Sequence, residues 1–218
     1  MPLVPVPLRT HVVTARDDIA DVARRYCHRI AAPGDALAIS ETVVAITQGR
    51  AILPETVRPR MLARFLCRFP DKDGSLATPA AMELAFQEVG TMRILKGAMA
   101  AAWGRLTGKR GRFFEVAGQE LALFDDIAGT MAPFDRHIVM GPKNPDQVAR
   151  QVKEVVGIDV CITDVNDRGC VDVLGLATDL EDPQAIDALK HEIEAALKTN
   201  PGGNDDEQTP LVLLKRIG

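Results

Sequence analysis

Hydrophobic and polar positions along the chain follow two periods. Between Thr14 and Ala32, the residues Ile19, Val22, Ala23, Tyr26 and Ile30 share one face at helical spacing. Asp17 and Asp18 fall in the first turn, where carboxylates are favoured, and Pro33-Gly34 closes the stretch. The spacing therefore predicts a helix over 14–32. Residues 1–10, with three prolines, read as an extended arm, and Ala36–Ile39 as a buried strand. Glu41–Thr47 then starts a helix that Gly49 stops, with Ser40 as its N-cap. Three more helices are expected over 58–69, 79–89 and 91–106, the second opened by Thr78-Pro79 as cap and first helical residue. In the third, Gly97, Ala98, Ala100, Ala101 and Ala102 put small residues on several faces, which predicts close helix packing and a subunit interface.

The pattern changes at Gly108. Arg112–Val116 and Glu120–Phe124, separated by Ala117-Gly118-Gln119, predict a hairpin. A short strand follows at His137–Met140. Asn144 and Pro145 then serve as N-cap and first residue of a helix to Val156. Strands are expected at Ile158–Thr163 and Val171–Leu174, and an amphipathic helix over Asp182–Thr199. Pro201–Pro210 is a polar loop before a closing strand, Leu211–Lys215. This order, part alternating and part hairpin-like, predicts an α+β fold with a mixed sheet and packed helices. We expect one domain over 1–218, with a possible subdivision near 108.

Composition narrows the function classes. With 218 residues, 46% hydrophobic and 26% charged, the chain can bury a core. A net charge of −4 and a pI near 5.6 exclude the basic surplus of a general nucleic-acid binder, and 4% aromatics disfavour a stacking platform. The longest apolar runs, Ala98–Trp103 and Leu211–Leu214, fall far short of the roughly 18–20 residues that span a bilayer. The N-terminus has no basic leader pattern. Cys27, Cys67, Cys161 and Cys170 lie far apart, as reduced thiols in a cytoplasmic protein do.

Candidate chemistry sits in five polar segments. Thr163-Asp164 ends a strand, where a carboxylate suits magnesium or manganese, and the following Val165–Gly169 is also rich in ordinary turn formers. Asn200–Pro210 combines glycines that let backbone approach a phosphate with acids that need a cation between them and it, so a metal–nucleotide satisfies both, as does a solvated loop. Asp125 and Asp126 follow an apolar run and can converge with Asp164, or be plain loop acids. The helix start after Ser40 offers free N–H groups to an anion. Gly108–Arg112 is a basic turn able to hold an anionic substrate. The four histidines show no metal spacing, and there is no nucleophile elbow.

Taken in order, Gly34–Arg50, the Phe124-Asp125 segment, Pro142–Asp146, Thr163-Asp164, the glycine-rich acidic loop and the final Pro210–Leu213 strand resemble the signature of the coenzyme F-420-0:L-glutamate ligase family. The resemblance implies an α+β, intertwined dimer that uses GTP and magnesium or manganese. It implies transfer of glutamate in γ-glutamyl linkage to a small-molecule acceptor, a phosphate-bearing deazaflavin. On matching positions it implies metal ligation by Asp125, Asp164 and Asn204. It implies nucleotide contacts from Thr10, His11, Val12, Val13, Glu41 and Thr42, and from the loop residues Gly202, Gly203, Asn204, Asp205, Asp206, Glu207, Gln208 and Thr209. Arg50, Lys109 and Arg112 are candidates for gripping an anionic acceptor. The chain departs from the signature where Ile46 replaces a lysine, Val165 a threonine and Ala128 an asparagine, and the stretch Asp167–Asn200 is shorter. These departures imply either another acceptor or a nucleotide-binding homologue that no longer ligates.

Overall fold

The computed structural model describes residues 2–70, 75–109, 111–126, 131–166, 169–203 and 207–216, with backbone alone at 119, 125 and 126. The chain divides into two compact units, one of residues 1–49 and 142–218, the other of residues 50–141. Gly108 therefore lies inside the second unit.

The first unit is built on a five-stranded mixed sheet. Its strands are β1 (Leu3–Leu8), β2 (Ala36–Ser40), β6 (Asp159–Val165), β7 (Val171–Ala177) and β8 (Leu211–Arg216), in the order β1-β8-β2-β6-β7. β2 and β6 run parallel, while β8 is antiparallel to both β1 and β2, and β7 to β6. The period-two pattern sorts side chains onto two faces. Leu37, Ile39, Val160, Ile162, Leu211 and Leu213 meet α1 (Ile19–Cys27), α2 (Glu41–Thr47) and α7 (Pro145–Val156). On the other face Ala36, Ala38, Cys161, Val212 and Leu214 meet Leu189, Ile193 and Leu197 of α8 (Pro183–Leu197). The expected arm is thus an edge strand, its prolines tolerated because an edge needs no second ladder.

At three helix starts the capping differs from expectation. α1 begins at Ile19 because the Asp18 carboxylate accepts from the Ala20 and Asp21 N–H groups, at 2.8 and 3.2 Å, while Asp17 turns back to Thr14 and His11. Pro145 opens α7 as expected, yet Asn144 lies in the left-handed region (φ 50°) and its side chain makes no cap bond. Ser40 likewise makes no side-chain cap on α2. α7 rides against β7 at Gly175, where a Cβ would lie 2.6 Å from the Asp146 nitrogen.

The second unit is mostly helical: α3 (Met61–Leu66), α4 (Pro79–Val89), α5 (Thr91–Leu106) and α6 (Arg112–Ala117). A small sheet, β3 (Ala51–Ile52), β5 (Ile138–Val139) and β4 (Asp125–Asp126), joins them in the order β3-β5-β4. α4 is the core, buried continuously from Ala80 to Phe86. Its one acid there, Glu83, accepts from the Arg60 guanidinium at 2.7 Å and from the Arg60 N–H at 2.9 Å. Burial alone would raise the Glu83 carboxyl, but the Arg60 bonds and charge outweigh it and hold it below the ordinary range.

The predicted hairpin over 112–124 does not form. Residues 112–117 are helix α6, 119–121 a 3-10 turn, and Asp125-Asp126 are themselves strand β4. α6 docks on α5, where Gly97 has no Cβ and Ala117 fills the space, 2.8 Å from where that Cβ would be. This packing overrides the β-propensity of Phe113, Phe114 and Val116. No helix among the described residues is long and apolar enough to cross a membrane.

Candidate functional site

The strand directions of the first unit gather the polar segments at one end of the sheet. β1, β2 and β6 finish there and β8 and β7 begin there. Polar groups at the end of parallel strands stand clear of the ladder and face a crevice, the usual position of an α/β ligand site. Backbone bonds tie these segments together. The Thr10 N–H donates to the Gln208 carbonyl at 2.8 Å, and the Ser40 N–H to the Pro210 carbonyl at 2.9 Å. Ser40 sits in register with Thr163. Thr10, Glu41 and Thr163 are buried.

The described ends of the glycine-rich loop are bonded to one another. The Thr209 hydroxyl donates to the Gly202 carbonyl, and the Gly203 N–H to the Asn200 carbonyl at 3.0 Å. Asn200, Gly203 and Gln208 all adopt left-handed backbone. Asn204, Asp205 and Asp206 lie outside the described residues.

Asp164 is half-buried near the end of β6, in register with Asp172 on β7. The pair lies on the sheet face opposite Val165 and Val171, which pack towards α8. Burial, and then the Asp172 charge, push the Asp164 carboxyl above the ordinary carboxylate range. Two carboxylates on one face of a strand end are hard oxygen donors of the kind a divalent cation accepts. Among the described residues, no group of three or more His, Cys, Asp or Glu is close enough to hold a metal. The Asp125 side chain and Asn204 lie outside the described residues.

At the β1 exit a hydrogen-bonded chain orders the expected nucleotide segment. The Asp17 carboxylate meets His11 Nε2 at 3.0 Å, and His11 Nδ1 meets the Tyr26 hydroxyl at 2.9 Å. The Tyr26 hydroxyl also accepts from the His11 N–H at 3.0 Å. Asp17 further accepts from the Thr14 N–H and hydroxyl. The His11 bond, then the Thr14 bonds, hold Asp17 below the ordinary carboxylate range. Val12 is half-buried and Val13 buried, the latter in the apolar core, so neither offers a polar side chain.

Thus Thr10, His11, Gly202, Gly203, Gln208 and Thr209 in loops, Glu41 and Thr42 in the first turn of α2, and Asp164 near the end of β6 all lie at one end of one sheet. Asp125 belongs to the second unit. So do the acceptor candidates, of which Arg50 is committed to structure: its guanidinium donates to the Gly141 carbonyl and to Glu88. Arg112 pairs with Glu115, and Lys109 is exposed. Sequence reasoning missed Asp17, Tyr26 and Asp172. Their partners lie six, fifteen and eight residues away, separations that no single helix or strand period selects. No protein-family model matches the chain, and no curated protein is found to match it.

Proposed function

We infer that the chain is a GTP- and divalent-metal-dependent amide ligase of the glutamyl ligase type, acting in the cytoplasm as a homodimer. The observation that carries this reading is the gathering of Thr10-His11, Glu41, Thr163-Asp164, Gly202-Gly203 and Gln208-Thr209 at one end of the sheet. These are the segments that the resemblance assigns to nucleotide and metal.

In this reading the acceptor carboxylate attacks the γ-phosphorus of GTP. GDP leaves and an acyl phosphate forms. The amine of glutamate then attacks the acyl carbon, phosphate leaves with the C–O bond electrons, and the nitrogen gives up a proton. Asp164 would hold a magnesium or manganese ion, which would supply charge neutralisation for the phosphoryl oxygens. The chain's own contribution is positioning: the Gly202-Gly203 and Gln208-Thr209 backbone lies against the phosphates, and the Thr10–Val13 and Glu41-Thr42 segments orient the nucleoside.

A second reading, a nucleotide-binding homologue without ligase activity, is favoured by Ile46. It is buried within α2, where the related signature has a lysine, and supplies no charge to a phosphate. Phosphate release separates the two. A ligase releases phosphate from GTP with manganese only when a phosphate-bearing deazaflavin and L-glutamate are both present. GTP affinity without release under those conditions supports the second reading and contradicts the first.

A further inference from the structure

The second unit leaves a basic and apolar face in water. On α5, Met92, Met99, Trp103 and Leu106 are 67, 65, 69 and 83% exposed, at spacings of seven, four and three that line up as one stripe. The opposite side of that helix is closed by α6, which packs against Gly97 and Gly104. On α3 and just beyond it, Met61, Phe65 and Phe69 repeat every four residues and are also exposed. The two stripes are neighbours, tied at both ends. Arg60 donates to the Thr91 hydroxyl at 3.2 Å, and Arg105 to the Phe69 carbonyl at 2.6 Å. Weighted by these exposures, the seven side chains leave on the order of 1,000 Å² in water. A typical monomer's largest apolar patch is about 300–600 Å².

The charge on this face has one sign. The chain as a whole carries −4, yet residues 56–70 and 89–114 contain arginines and lysines and no Asp or Glu. Lys96 sits inside the α5 stripe, Arg64 and Arg68 flank Phe65, and Arg105 borders Phe69. All four are exposed, and none meets a carboxylate among the described residues.

We propose that this α3–α5 face attaches the protein to the surface of an anionic phospholipid bilayer, its apolar side chains in the headgroup–acyl boundary and its cations on the lipid phosphates. The mixture of residues favours a bilayer over a protein. Protein interfaces are depleted in lysine at their cores, and here Lys96 stands among the apolar side chains. It also favours a bilayer over nucleic acid, because Met and Leu side chains gain nothing from a phosphate backbone. At a bilayer surface every member has a partner. Lys and Arg stems lie along their apolar neighbours while the charged heads reach the phosphates. Tryptophan prefers that same boundary. Apolar burial and attraction to anionic lipid then add, as in other amphipathic helices that lie in the plane of the membrane.

Trp103 is the chain's one tryptophan, so its emission reads this face alone. The test mixes the full chain with vesicles of phosphatidylcholine, or of equal parts phosphatidylcholine and phosphatidylglycerol, at low and high salt. Trp103 emission and co-flotation are followed together. The anionic vesicles should shift the emission to shorter wavelength and float the protein, the neutral ones should do neither, and salt should weaken the binding. Lys96→Gln with Arg68→Gln should weaken it about fivefold for each cation removed. Met99→Glu should weaken it at least about tenfold. Both variants should keep the wild-type melting temperature, because these side chains are exposed. A wild type that ignores the anionic vesicles overturns the proposal. So does flotation without a Trp103 shift, or flotation undiminished in Met99→Glu, since another face then carries the binding. A shift that appears on concentrating the protein without lipid, and is lost in Met99→Glu, also overturns it, because another protein chain then covers the face. None of these outcomes involves nucleotide or metal, so the proposal stands or falls apart from the ligase reading.

Discussion

Ionised Asp164 faces Asp172 across the β6–β7 pair, and like charges directly opposite are unfavourable in a sheet. Its folded-state proton affinity is raised, so the native state holds a proton that the unfolded chain has released. The associated stability is present below about pH 4, the unfolded value, and is lost as pH rises through the raised native value. Asp164→Asn should therefore melt at a higher temperature than wild type at pH 7 without metal, and the gain should vanish below about pH 4. A neutral or destabilising effect at pH 7 would show that the carboxylate already has a compensating partner. The thiols give a second check at this scale. Burial, then the Asp35 charge, pushes Cys27 up to about 11, and burial, then Asp159, pushes Cys161 up to about 12. Cys67 is also buried and Cys170 exposed. One thiol of four, Cys170, should react with an aromatic disulfide in the native protein at pH 8, and all four after unfolding. The sequence singled out Asp164 as a carboxylate at a strand end, and His11 only through the resemblance. It was silent on the Asp17–His11–Tyr26 chain, because those bonds exist only once α1 lies against the β1 exit.

At the scale of elements, periodicity and punctuation were legible wherever local signals and packing agree. The Ala36–Ser40 strand running into Glu41–Thr47, the Thr78-Pro79 start of α4 and the Pro145 start of α7 all follow from adjacent residues. The 112–124 segment was misread because its outcome is set from outside. Gly97 on another helix makes the socket that Ala117 enters, and a hairpin-like sequence becomes helix. Gly175 is the matching case on β7: glycine inside a strand signals a close backbone approach, and here the approaching backbone is the first turn of α7. Gly175→Ala should cost about 1–3 kcal/mol in urea unfolding, since Pro145 and Asp146 cannot yield as a flexible side chain would. A change within about 0.5 kcal/mol would mean that α7 shifts freely on the sheet.

At the scale of the whole molecule, the α+β class and mixed sheet were readable from the order of elements. The division into units was not, because residues 50–141 are enclosed between two stretches that share one sheet. Strand order, not chain order, brings Thr10, Glu41, Asp164 and Thr209 to one end, and hydrophobic pattern alone does not fix strand order. The central claim is that this sheet end binds a metal–nucleotide. Isothermal calorimetry of GTP against the full chain with manganese, wild type beside Asp164→Ala, tests it most directly. The account predicts manganese-dependent binding by wild type that falls at least 100-fold in Asp164→Ala. Absence of binding by wild type, or equal binding by both proteins, would contradict it.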